Sequence, residues 1–218
     1  MAFLKGDVDT ALLRLRSYVR NYKNEQNYHN ALFKIATIHY SRQEFDSAGY
    51  YYGLASKDNR LQRDALRNQI ICYKKSQNWQ RAINAAWDIL PLISIEEEAE
   101  IRFELGYAYL RDGKGGEAIK HLKRAVESVS TPEHLYWLAE AYLSKADFIR
   151  SLYQYQKIVH QFPHDEMWTP TAQYKSGIVL EFMDQFDESK KIYKQLINTR
   201  GLGDTWGAEA QKRLEKME

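Results

Sequence analysis

A small residue recurs along this chain at an interval in the thirties. The positions are Ala11, Ala48, Ala82, Ala118, Ser151 and Ser189, with successive gaps of 37, 34, 36, 33 and 38. Each lies where a second helix is expected to press against a first, and a period of this length is the signature of stacked helical hairpins. Such a stack presents a long surface, whereas a catalytic pocket needs side chains converging from several directions. Only 4 prolines and 11 glycines leave little room for β-turns, and a hydrophobic fraction of 44% is enough for a continuous core. The 16 tyrosines suit interhelix packing and a binding face.

Charge excludes several function classes. The 31 basic and 29 acidic residues leave a net +2, so no one-signed field draws nucleic acid or anionic lipid. One cysteine, Cys72, rules out an internal disulfide and an all-cysteine metal site. No apolar run approaches the roughly 20 residues that span a bilayer, and the opening MAFLKGDVDTALLRL carries no export signal.

Residues 100–129, EIRFELGYAYLRDGKGGEAIKHLKRAVESV, form the clearest unit. Phe103, Leu105, Gly106, Tyr109 and Leu110 follow helical spacing, Asp112 and Gly113 break it, and Ala118, Leu122 and Ala125 resume it. Two amphipathic helices joined by so short a turn are antiparallel neighbours. LGYAY followed by EAIKHLKRA resembles the tetratricopeptide repeat. The resemblance continues through Ile35-Ala36, Phe45, Ala48 and Tyr52; through Leu138-Ala139, Tyr142, Phe148, Ser151, Tyr155 and Pro163; and through Gly177, Phe186, Ser189 and Tyr193. Residues 66–89 diverge most, keeping Tyr73, Trp79 and Ala82 while Gln69-Ile70 replaces the Leu-Gly pair. The fold this implies is all-α, a right-handed superhelical array of antiparallel helix pairs. The expected division is 1–28 as the second helix of a truncated repeat, repeats at 29–62, 63–98, 99–131, 132–169 and 170–203, and a capping helix at 204–218. Residues 6–20 read as a turn and second helix without their first helix, which suggests a fragment of a longer protein. RGLGDTW reads as a loop before the final helix.

No catalytic constellation emerges. Among His29, His39, His121, His134, His160 and His164, only the last two are close in sequence, and Pro163 between them should end any helix that would let them share a metal. No phosphate-binding loop or nucleophile elbow is present, and Lys114-Gly115-Gly116 reads as a hairpin turn. The acidic run Glu96, Glu97, Glu98 and Glu100 reads as a helix start, where negative charge complements the dipole. Basic clusters such as Arg60, Arg63 and Arg67, or Lys190, Lys191 and Lys194, read as solvated helix faces rather than a nucleic-acid footprint. No catalytic residue, metal or cofactor is expected.

The resemblance implies that the first helix of each pair lines a concave groove. Helical phase places Asn30, Phe33, Thr37 and Tyr40 there, then Arg67, Ile71 and Lys74, then Phe103 and Tyr107, then Tyr136 and Glu140, then Tyr174 and Ile178. An aromatic floor with mixed charge suits a peptide or protein partner with apolar anchors. The two-carboxylate clamp of chaperone-binding relatives is not reproduced: Phe33 and Thr37, Asn68, then Glu100 and Glu104 occupy its places, and only Asn68 fits. Residues 160–215 are similar to repeats of bacterial envelope proteins such as Tol-system adaptors and outer-membrane assembly lipoproteins. That resemblance implies a scaffold in the periplasm or cell envelope, with the cytoplasm as the other compartment. Self-assembly into a homo-oligomer is the competing function, and regulation of a catalytic domain elsewhere in the parent chain is a third.

Overall fold

The computed structural model describes residues 5–217, so positions 1–4 and 218 of the expected end segments lie outside it. Among the described residues the chain is helical without strands. It falls into two compact units divided between Asp112 and Gly113.

The first unit holds α1 (Lys5–Asn21), α2 (Tyr28–Ser41), α3 (Phe45–Ala55), α4 (Gln62–Lys75), α5 (Trp79–Ile89), a single 3-10 turn (Leu90–Leu92) and α6 (Ile95–Arg111). Each helix packs on the next. Residues 6–9, expected as a turn, are already helical, and Asp7 in the first turn favours that extension by complementing the dipole. The α6 helix begins at Ile95, ahead of the boundary expected at residue 99. Its start is a capping box: the Ser94 amide donates to Glu97 Oε2 at 3.1 Å, and the acidic run fills the first turn. The core of α2 and α3 is Leu32, Ala36, Ala48, Tyr52 and Ala55, joined by Ala65 and Cys72 from α4. Leu66, Ile70 and Tyr73 then meet Ala82, Ile83 and Ala86 of α5 and Ile101 and Leu105 of α6.

The second unit holds α7 (Gly115–Ser128), α8 (Pro132–Leu143), α9 (Phe148–Gln161), α10 (Trp168–Phe182), α11 (Phe186–Arg200) and α12 (Thr205–Glu215). Gly115 and Gly116, expected in a turn, open α7 instead. A Cβ on Gly115 would lie 2.6 Å from Ser144 Oγ, so close approach to the α8–α9 turn accounts for the glycine. Pro132 at the first position and Thr131, whose hydroxyl accepts from the His134 amide at 3.1 Å, start α8. Asp147 caps α9 and Asp204 caps α12. The core runs from Leu135, Ala139, Tyr155, Ile158, Ala172 and Val179 to Tyr193, Leu196 and Ala210.

One turn is reused throughout. Gln43, Gln77, Gly113, Ala146 and Asp184 all have left-handed backbone, with φ of 62°, 57°, 76°, 55° and 58°. Each lies at the same offset before Ala48, Ala82, Ala118, Ser151 or Ser189, and those five small residues are fully buried. At the four non-glycine sites the left-handed residue donates three back, and its successor donates five back. Ala146 N bonds Leu143 O at 2.9 Å and Asp147 N bonds Tyr142 O at 3.0 Å; Gln43 and Glu44, Gln77 and Asn78, and Asp184 and Gln185 repeat the pattern. This is the Schellman arrangement, and it satisfies the carbonyls that the end of the first helix would leave open.

Candidate protein-interaction surface

All the expected groove residues but Asn30, which lies about one turn earlier on α2, occupy three registers on the first helices, fixed by distance from the left-handed residue. Phe33, Arg67, Phe103, Tyr136 and Tyr174 share one; Thr37, Ile71, Tyr107, Glu140 and Ile178 the next; Tyr40 and Lys74 the third. The structure separates those that tie helix to helix from those that stay open.

In the second unit the first register is structural. Tyr136 lies between Tyr155 of its own pair, at 5.9 Å between ring centroids, and Trp168 at the start of α10, at 5.0 Å. Tyr174 repeats the arrangement, with Tyr193 at 5.9 Å and Trp206 of α12 at 5.4 Å. Aromatic contacts of this kind contribute about 0.5–1.5 kcal/mol beyond their buried area. Polar groups reinforce each joint. The Tyr155 hydroxyl donates to Glu140, whose Oε1 lies 2.9 Å from Lys175 Nζ on α10. The Tyr193 hydroxyl donates to Glu181, whose Oε2 lies 3.1 Å from Arg213 on α12. Burial, reinforced by the adjacent carboxylate, pushes both phenols well above their ordinary range, so they remain donors. For Lys175 burial opposes the charge, but the Glu140 carboxylate outweighs it and the ammonium is strengthened overall.

The first unit uses charge where the second uses rings. Arg67 donates to Glu97 at 2.7 Å and Glu100 at 2.8 Å, and Arg63 reaches Glu97 at 2.6 Å. The hydrogen bond to Glu100 is the main reason the Arg67 guanidinium is held still more firmly protonated. Lys74 pairs with Glu104 and lies 5.1 Å from the centre of the Tyr107 ring. The acidic run therefore both starts α6 and binds α6 to α4. Phe103 is 8% exposed and belongs to the core rather than to an open groove. Phe33 is half-buried against Tyr52 at 4.9 Å, and burial raises the Tyr52 phenol.

What stays open is mostly in the first unit. Tyr40 and Ile71 are 37% and 40% exposed, and Thr37 is exposed, its hydroxyl donating to Phe33 O at 3.0 Å. Tyr107 is half-buried, edge-on to Trp79 at 5.9 Å, and Ile178 in the second unit is half-buried. Asn30 lines an open cleft of about 430 Å³ between α1 and α2, with Leu15, Tyr18 and Lys34. Sequence reasoning missed the partners of these residues: Trp168 and Trp206, and the pairings Arg67–Glu100, Lys74–Glu104, Glu140–Lys175 and Glu181–Arg213. Each joins first helices one repeat apart, so the signal available was opposite charge at about one repeat length.

Tetratricopeptide repeat models match residues 73–130 and 103–166, and a second such model matches residues 171–199. The chain is a tetratricopeptide repeat protein. Solved tetratricopeptide structures share the fold. A MamA protein aligns with a TM-score of 0.71 at 20% identity, over 82% of this chain and 94% of its own. YrrB, described as a TPR protein with an unusual peptide-binding site, aligns at 0.66 and 16%, over 91% and 97%. PilF of Pseudomonas aeruginosa aligns at 0.59 and 14%, over 96% and 91%. No curated protein matches the chain. Tetratricopeptide membership supports a protein–protein interaction scaffold, and among the described residues no helix is long and apolar enough to cross a membrane.

Proposed function

We propose that this tetratricopeptide protein is a non-catalytic scaffold that captures an extended peptide along the first-helix face of α2, α4 and α6. The supporting observation is the exposure of Tyr40 and Ile71, large apolar side chains on a face where Arg67, Lys74 and Phe103 are engaged between helices. Apolar anchors set in a polar rim are the usual source of binding energy at such surfaces. Thr37 and Tyr107 extend this row, while Arg67, Lys74 and Phe103 shape its floor. The test is a photo-crosslinking amino acid placed at Ile71 and, as a control, at exposed Asn84 of α5. Partner adducts from position 71 alone support peptide capture here, and adducts from position 84 alone overturn it.

The competing function, self-assembly, is favoured by one observation: Leu13 of α1 and Tyr22, just past its end, are 68% and 51% exposed. Light scattering over a concentration series decides it, since Leu13→Glu should abolish any concentration-dependent rise in mass that α1 causes. We also infer, from the likeness of residues 160–215 to envelope repeats, that this protein works in the bacterial cell envelope. Cell fractionation tests this, and recovery solely in the cytosol counts against it.

A further inference from the structure

Most charges on the first-helix face of the first unit are neutralised within it: Arg63 and Arg67 by Glu97 and Glu100, Lys74 by Glu104. Two cations are different. Lys75 and Arg111 lie at equivalent places, the last turns of α4 and α6, and both are exposed. Among the described residues neither has a carboxylate partner. Each is held instead over an aromatic ring of a second helix's first turn: Lys75 Nζ lies 5.4 Å from the Phe45 centroid, and Arg111 Cζ lies 5.5 Å from that of Trp79. The nearby Asp46 carboxylate accepts from the Ser76 hydroxyl at 3.0 Å.

A cation over an aromatic face is ordered yet keeps its outer donors open. Charges in the last turn also complement the helix dipole, but the terminal carbonyls of α4 are already bonded by Gln77 and Asn78. One helical turn earlier on the same faces lie Ile71 and Tyr107, and Tyr40 reaches this edge through Phe45, at 5.5 Å between rings. The edge therefore combines apolar contact area with two ordered positive charges that no carboxylate among the described residues neutralises.

We propose that this turn edge binds an acidic segment of a partner protein, with Asp or Glu side chains paired to Lys75 and Arg111 and apolar side chains seated on Ile71 and Tyr40. The proposal rests on the peptide-capture function above and names the chemistry of the ligand. It differs from capture of a chain terminus, because side-chain carboxylates within a segment suffice. A single-stranded nucleic acid would need a longer track of free cations than two, since its affinity comes from many phosphate contacts.

The test is selection of a random dodecapeptide phage library on the intact protein and on the double variant Lys75→Gln/Arg111→Gln. Both side chains are exposed, and unchanged circular dichroism and melting will verify that the variant folds. Enrichment of peptides rich in Asp, Glu and apolar residues, lost in the variant, supports the proposal. One such synthetic peptide should bind the variant about three- to tenfold more weakly, as expected for two exposed ion pairs, and more weakly in high salt. Enriched peptides without acidic residues, or acidic peptides retained by the variant, overturn the acidic specificity and leave peptide capture standing. No enrichment over heat-denatured protein overturns both. Tighter binding of a dT20 oligonucleotide than of any selected peptide also overturns the proposal.

Discussion

Ala146→Gly should stabilise this protein, against the usual rule that glycine weakens a helical chain. Ala146 is exposed and has φ of 55°, the left-handed conformation in which a Cβ crowds the following carbonyl. Relieving that crowding is worth about 1–2 kcal/mol, and the greater freedom of glycine in the unfolded chain returns about 0.4–1 kcal/mol of it. The net expectation is a gain of about 0.5–1 kcal/mol, or about 2 °C in melting temperature for a chain of this size. The turn's bonds from Ala146 to Leu143 and from Asp147 to Tyr142 use only backbone atoms, so the substitution leaves them intact. Urea titration with an unchanged m-value is the assay, because a constant slope assigns the shift in midpoint to stability. Gly113→Ala is the mirror experiment. Gly113 has φ of 76° with no atom within 4 Å of an added Cβ, so its cost should be conformational alone. A loss of about 0.5–1 kcal/mol in Ala146→Gly, the ordinary penalty for glycine in a helix, would refute the left-handed turn and the repeat register built on it.

Gly177→Ala should cost about 1–3 kcal/mol through overpacking, because its Cβ would lie 2.5 Å from Cζ of the fully buried Tyr193 ring; a melt like that of the parent would contradict this packing. Cys72 is fully buried, and burial pushes its thiol up to about 12 despite Lys75 nearby, so it should ignore dithionitrobenzoate at pH 8 until urea exposes it. Hydrogen bonds from the Arg60 side chain and backbone hold the Asp58 carboxyl down to about 2. Since this lies below the unfolded value of about 3.9, its stabilisation is complete above that value and is lost as pH falls through about 2. Asp58→Asn should therefore flatten the stability-versus-pH curve between about pH 4 and 2, and an unchanged acid limb would count against the Arg60 contact.

Much of the architecture was legible because it rests on volume. Ala48, Ala82, Ser151 and Ser189 are small where helices touch, and spacing alone reveals that. The turn conformation was legible only at Gly113, since Gln43, Gln77 and Ala146 carry no residue-type cue to left-handed backbone and Asp184 carries a weak one. Phase on a single helix selects the face of Tyr136, Glu140 and Tyr174 but says nothing of what the next first helix brings opposite. Trp206 was read as belonging to a loop and Trp168 was not singled out, although both lie in the first turns of helices and close over those tyrosines. The open and engaged members of the candidate surface were therefore indistinguishable from phase; Lys75 reads beside Lys74 as one more solvated basic cluster, and Arg111 drew no notice.

The repeated tyrosine–tryptophan joint of the second unit bears on how such a chain changes length over evolution. Each tryptophan is carried by the incoming segment and meets a tyrosine left by the preceding one, so plug and socket travel together in one genetic module. Duplicating or deleting the stretch from one tryptophan to just before the next would regenerate the same junction without fresh compensating substitutions. Copy number can thus vary at little cost, while the solvent-facing positions of each copy remain free to diverge.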